Sequence, residues 1–282
     1  MKLNSKSINY NVQTVDELVS LDGLEGDTVV VTDENRGGVF VYREDNVGTN
    51  NEGTIFNGWT RQYEGAVNVK WFGAKDTRIT GNESYDSYTN IYNALQFIES
   101  INGGSLYFPS GTYKCSQTLY FGGNTGIDEP IKLFGDGHQM DFGNSDGGSR
   151  LIFTGTTGFL IGLNVDSSGV GQSLFARLTI EDLILLGTGE PTTNELDITC
   201  IKGYRSRPTL SRVTIGNFSN GITFGGTGYY GSDYSDLNNY TNIRFGNIYG
   251  NHCMKLSGAD NSTIQGIYIE GCDCSTGIEI VS

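Results

Sequence analysis

The feature that most restricts the fold is a spaced apolar triplet that recurs in the second half of the chain: an apolar residue, two others, an apolar residue, one other, an apolar residue. It occurs as Ile180, Leu183 and Leu185, then Leu210, Val213 and Ile215, then Tyr240, Ile243 and Phe245, then Ile264, Ile267 and Ile269. The middle anchors are 30, 30 and 24 residues apart. A shorter apolar pair, or its remnant, follows each: Ile201 alone, Ile222 with Phe224, Met254 with Leu256, and Ile278 with Ile280. Two or three inward side chains cannot hold one such coil alone. Coils that stack at the interstrand spacing of about 4.8 Å bring like anchors into columns and supply one another's ladder hydrogen bonds. The repeat therefore predicts a parallel β-solenoid.

Asp182, Arg212 and Asn242 share the position just before the middle anchor and are expected in an outward column, with Asp182 paired to Arg212. Lys255 and Glu279 are expected to pair in the same way on the second strand. Surface ladders of this kind are usually structural, and each pair contributes little.

A stack needs a cap. "SYDSYTNIYNALQFIESINGG" supplies one, because Ile91, Ala94, Leu95 and Ile98 share a helical face, Asp86 or Ser87 can cap its start, and Gly103 with Gly104 stops it. This helix, at about 88–101, is expected to close the N-terminal end of the stack. The phrase "GGSLYFPSGTY" then gives the first strand, a turn at Pro109 and Gly111, and the next extended piece. No equivalent cap follows residue 269, so either a partner subunit or a longer polypeptide is expected to cover that end.

Residues 1–66 lack the solenoid period. Thr14 and Glu17 form a capping box for one short helix, and "DTVVVTD", "GGVFVYRE" and "GTIFNGWTRQY" read as strands between glycine and asparagine turns. A small β-rich domain over 1–66, followed by the β-helix over 67–282, is the expected organisation. Forty-one glycines, four prolines, sixteen tyrosines and fourteen phenylalanines suit an all-β chain of short strands and tight turns.

A formal net charge of −14, with no basic stripe, argues against nucleic acid or an anionic membrane as partner. No run approaches membrane-spanning length, and "MKLNSKSINYNVQ" has no apolar core for a signal peptide, which predicts synthesis in a cytoplasm. Cys115, Cys200, Cys253, Cys272 and Cys274 suit that compartment as small buried apolar residues rather than a disulfide framework. No metal and no cofactor are expected, since "CDC" lacks a second cluster at zinc spacing and no phosphate loop or nucleophile elbow is present. His138 and His252, the chain's two histidines, read as polar turn residues.

"VKWFGAK", the capped helix, "GGSLYFPSGTYKCSQTL" and "IKLFGDG" resemble the start of the pectate-lyase-like right-handed parallel β-helix of bacteriophage tailspikes. "TVDELVSLDGLEGDTVVVT", "GGVFVYRE" and "GTIFNGWTRQYEG" resemble the small module that often precedes it in phage tail proteins. The resemblance covers roughly residues 12–137. Where relatives carry a paired-aspartate loop before the capping helix, this chain reads "KDTRITGNESYDS", and the polygalacturonase signatures are absent.

The resemblance implies a homotrimeric virion tail spike, made in the host cytoplasm, that docks other phage tail proteins through its N-terminal domain. It implies attachment to host surface polysaccharide, with or without depolymerase activity. Two alternatives are a structural tail adaptor and a free polysaccharide lyase or glycoside hydrolase. Hydrolysis needs two carboxylates about 5 to 10 Å apart. The long insertion "GGTGYYGSDYSDLNNY" offers Tyr229, Tyr230 and Tyr234 to stack on sugar rings beside Asp233 and Asp236, or, as a bland alternative, a solvated or subunit-contact loop. Glu270 and Asp273 flank the turn after the last anchor set and complete the catalytic candidates, with turn formation as the alternative role weighed above catalysis.

Overall fold

A computed structural model describes residues 10–122, 129–137, 147–155, 157–162, 177–188, 198–203, 206, 208–225, 238–257 and 262–281. The chain opens with β1 (Tyr10–Val12), α1 (Val15–Val19), β2 (Thr28–Val31), β3 (Gly38–Tyr42), β4 (Ile55–Phe56) and β5 (Trp59–Gln62). These five strands form one sheet in the order β1-β2-β3-β5-β4. Thr14 caps α1 by accepting from Glu17 N at 3.2 Å, while the Glu17 carboxylate accepts from Gln13 N at 2.7 Å, one residue earlier than an ideal capping box. Val15, Leu18, Val29, Val31, Phe40, Phe56 and Trp59 make a core separate from that of the following coils.

Arg61 ties this sheet to Trp71, beyond its last strand. The Arg61 guanidinium is buried, donates to the carbonyls of Gly53, Gly37 and Arg36, and stacks on the rings of Phe40 and Trp71 at 4.5 and 4.6 Å. Burial, then the nearby Arg36 charge, pulls its pKa down to about 10.

The next elements are β6 (Val67–Asn68) and α2 (Tyr88–Ser100). The α2 face of Ile91, Ala94, Leu95 and Ile98 is buried as expected, and Asp86 Oδ1 accepts from Tyr88 N at 3.1 Å at its start. The first two coils have three strands each: β7 (Gly104–Phe108), β8 (Gly111–Cys115) and β9 (Leu119–Phe121), then β10 (Ile131–Gly135), β11 (Ser149–Phe153) and β12 (Phe159–Ile161). Four more follow as β13 (Leu178–Leu186) with β14 (Thr199–Gly203), β15 (Thr209–Phe218) with β16 (Asn220–Phe224), β17 (Asn239–Ile248) with β18 (His252–Ser257), and β19 (Thr263–Glu270) with β20 (Thr276–Val281). All neighbours in these coils pair in parallel, in a nine-stranded and a six-stranded sheet. The all-β architecture is the expected parallel β-helix, with α2 packed against β6 and β7 at its N-terminal end.

The register follows the repeat. Ile180, Leu210, Tyr240 and Ile264 are Cα partners in successive coils, as are Leu183, Val213, Ile243 and Ile267, and Leu185, Ile215, Phe245 and Ile269. Ile201, Ile222, Met254 and Ile278 form a fourth column. Ile201 stands without a companion because Gly203 pairs with Phe224, whose ring occupies the space a side chain at Gly203 would need. In the last coil Ile269 and Ile280 are 44% and 64% exposed, whereas their partners Phe245 and Leu256 are buried.

Each long strand bends at a left-handed residue. Asp182, Arg212, Asn242 and Gly266 adopt φ of 54, 53, 54 and 66°, and Asn217, Asn247 and Gly271 repeat the conformation five residues later at 59, 53 and 60°. Glycine and short polar residues tolerate this region best.

Candidate functional site

The connections between coils differ sharply in length. From the six-stranded to the nine-stranded sheet they span 122–130, 162–177, 204–208, 225–238 and 258–262. The three longest of these open on Gly122, Gly162 and Gly225, each left-handed at φ 79, 71 and 78° and each directly after an inward residue of the second sheet. Such a glycine lets the backbone turn off the coil immediately. A side chain at Gly225 would meet Ser257 O at 2.5 Å. Tyr229, Tyr230, Asp233, Tyr234 and Asp236 lie outside the described residues. Their insertion leaves at Phe224 and rejoins at Asn239, whose amide donates to Pro208 O at 3.2 Å.

The three long connections rejoin the coil at the starts of β10, β13 and β17, strands of the nine-stranded sheet. Three residues beyond the starts of β7, β10 and β13, Tyr107, Phe134 and Glu181 are Cα partners in one outward row. The rings of Tyr107 and Phe134 stack with centroids 5.2 Å apart, and Lys132 Nζ stands 5.4 Å from the Phe134 ring. Tyr107 donates to Asp136 Oδ1 at 2.6 Å, and Ser110 N donates to Asp136 Oδ2 at 2.7 Å. Burial and then the bond to Asp136 push the Tyr107 phenol up to about 12, so it stays a neutral donor at physiological pH. Lys132 pairs with Glu181 at 2.6 Å, and Arg212 Nη2 lies 2.7 Å from Asp182 and 3.8 Å from Glu181. Stacked aromatics beside fixed donors and charges form a surface suited to sugar rings and their hydroxyls. Tyr107 and Phe134 escaped sequence reasoning because the irregular first coils hide their shared register.

The second group of candidates sits elsewhere. Glu270 ends β19 and its carboxylate accepts from Arg244 on the preceding coil, while Asp273 is exposed in the 271–275 turn with its amide donating to Ile248 O at 2.8 Å. These two share one turn at the far end of the long strands from the 225–238 connection. The four proposed carboxylates therefore attach to two different corners of the coil. Lys255 and Glu279 pair at 3.1 Å as expected. Among the described residues, no group of histidine, cysteine and carboxylate side chains is arranged to hold a metal ion, and no helix is long and apolar enough to cross a membrane.

No protein family and no curated protein matches the sequence. Solved structures do match the fold. The Acinetobacter phage vB_ApiP_P1 tailspike protein superposes with a TM-score of 0.62 at 14% identity, over 98% of this chain and 57% of that one. Tailspike protein gp49 of Acinetobacter baumannii bacteriophage Fri1, a capsular polysaccharide depolymerase, gives 0.56 at 13% identity, over 96% of this chain and 60% of that one. The fold is that of a phage tailspike β-helix. This chain spans somewhat over half the length of either tailspike, and at this identity the likeness carries the fold alone.

Proposed function

We propose that this chain is the glycan-binding β-helix segment of a phage virion tail spike, attaching the particle to host surface polysaccharide. The observation that carries the reading is the stacked Tyr107–Phe134 pair, with Lys132, Glu181 and Asp136 beside it, on the outward face of the nine-stranded sheet. The 225–238 insertion then supplies Tyr229, Tyr230 and Tyr234 as further stacking groups. The N-terminal sheet faces the particle and docks other tail proteins, and the spike works as a homotrimer. The depolymerase activity of the Fri1 tailspike supports the choice of a capsular polysaccharide as ligand.

Cleavage would add Asp233 and Asp236, or Glu270 and Asp273, as acid and base or nucleophile. A second reading, binding or tail structure without cleavage, is favoured by the engagement of four described carboxylates, since Glu181, Asp182, Glu270 and Glu279 each meet a cation. The test is incubation with capsular polysaccharides from a panel of Gram-negative hosts, following reducing ends and unsaturated-sugar absorbance together. Reducing ends alone mean hydrolysis, unsaturation means β-elimination, and binding without either means an attachment segment. Failure to bind any glycan overturns the proposal.

A further inference from the structure

Three of the five cysteines converge between the last two coils. Cys253 is buried in β18, and its Sγ lies 3.5 Å from Cys274 Sγ in the turn before β20. Cys272 and Cys274, both half-buried, pack against the same core, with Cys272 Sγ donating to Glu270 O and Cys274 Sγ to Thr276 O. Cys115 and Cys200, by contrast, are buried in other coils, away from this turn. Coil stacking is what brings the three thiols together, since β18 and β20 pair in parallel with His252 opposite Thr276 and Met254 opposite Ile278.

We propose that Cys253 and Cys274 are an oxidation site that closes to a disulfide and staples the β17–β18 coil to the β19–β20 coil. A disulfide needs its sulfurs about 2.05 Å apart, and rotation of the Cys274 side chain in its turn is the available movement. The oxidant is a small disulfide such as glutathione disulfide. The half-buried Cys274 thiolate attacks one of its sulfurs, forming a mixed disulfide and releasing one glutathione thiolate, which takes up the proton Cys274 gave away. The Cys253 thiol then loses its proton to solvent and attacks Cys274 Sγ. The protein S–S bond forms as the second glutathione leaves and is protonated, so two cysteines are oxidised and one glutathione disulfide becomes two thiols. Burial, followed by the contacts to Cys274 and Cys272, holds the Cys253 thiol far above its ordinary pKa, so this second step is slow. The pair stays reduced in a cytosol and closes after exposure to an oxidising medium.

The test uses the folded 282-residue chain incubated with glutathione disulfide, then unfolded in denaturant containing N-ethylmaleimide so that every remaining thiol is blocked, and cut with trypsin without reduction. Cleavage after Arg244 and Lys255 puts Cys253 on the peptide 245–255 and both Cys272 and Cys274 on 256–282. The expected product is these two peptides covalently joined, with Cys115 and Cys200 alkylated. The joined product should fall at least tenfold in Cys274→Ser and persist in Cys272→Ser. The oxidised wild type should also melt about 5 °C or more above the reduced form. Three alkylated cysteines, a link confined to 256–282, a cross-link that survives Cys274→Ser, or a melting midpoint unmoved by oxidation would each overturn the proposal.

Discussion

Arg212 and Asp182 occupy the same place in successive coils and are joined by two hydrogen bonds, from Nε at 2.6 Å and from Nη2 at 2.7 Å. Both residues are left-handed, a conformation that costs a side chain such as arginine roughly 1–2 kcal/mol. The pair is partly exposed, so its contribution is about 0–1 kcal/mol and weakens with salt. The position thus selects for backbone tolerance more than for charge.

Substitutions in this column should sort by backbone preference. Arg212→Asn trades the pair for a residue that accepts the conformation, and urea denaturation should find stability within about 1 kcal/mol of wild type. Asn242→Val places a β-branched residue at φ 54° and should lose about 1–3 kcal/mol.

One apolar column offers two environments for the same substitution. Ile215 is buried while Ile269, its counterpart two coils on, is 44% exposed. Ile215→Ala should cost about 2–5 kcal/mol, and Ile269→Ala less than about 1 kcal/mol, in parallel thermal or urea unfolding.

Gly225 opens the long insertion with φ 78°, and a Cβ there meets Ser257 O at 2.5 Å. Gly225→Ala should therefore destabilise by about 1–3 kcal/mol, through strain and crowding together. The comparison is Gly65→Ala, also left-handed but with open space around it, which should lose less in the same unfolding assay.

Asp76 controls acid stability at the start of the β-helix. Burial pushes its pKa up, but the Arg78 guanidinium and the backbone N–H groups of Thr112 and Arg78 outweigh that and hold it below the ordinary value. A carboxyl depressed in the folded state contributes stability above its unfolded pKa of about 4, lost as pH falls through the lower folded value. Asp76→Asn should lower the urea midpoint at pH 7, and its deficit against wild type should shrink as the pH drops from 4 towards 2.

Much of the fold was legible because a solenoid writes its core into a repeat. Leu183, Val213, Ile243 and Ile267 fall into register from spacing alone, and Ser87 with Asp86 marks the start of α2. The same register shows the Asp182–Arg212 and Lys255–Glu279 pairs. The candidate site was harder to read, because its parts come from coils without a constant period. Tyr107 and Phe134 meet only through the parallel register of β7 and β10, and Asp76 reaches Thr112 across α2. Likewise Cys253 and Cys274 are neighbours through the turn length between β19 and β20, which no apolar spacing encodes.

The most direct test of the glycan-binding role is equilibrium binding of the purified chain to capsular polysaccharides from a panel of hosts that includes Acinetobacter baumannii. It compares wild type with a Tyr229→Ala/Tyr230→Ala/Tyr234→Ala variant and with Tyr107→Ala, each checked for an unchanged melting midpoint. Aromatic stacking contacts of about 1–3 kcal/mol each predict that wild type binds at least one glycan and that the triple variant binds it at least tenfold more weakly. Absence of binding to every glycan, or equal affinity of wild type and both variants, would contradict that role.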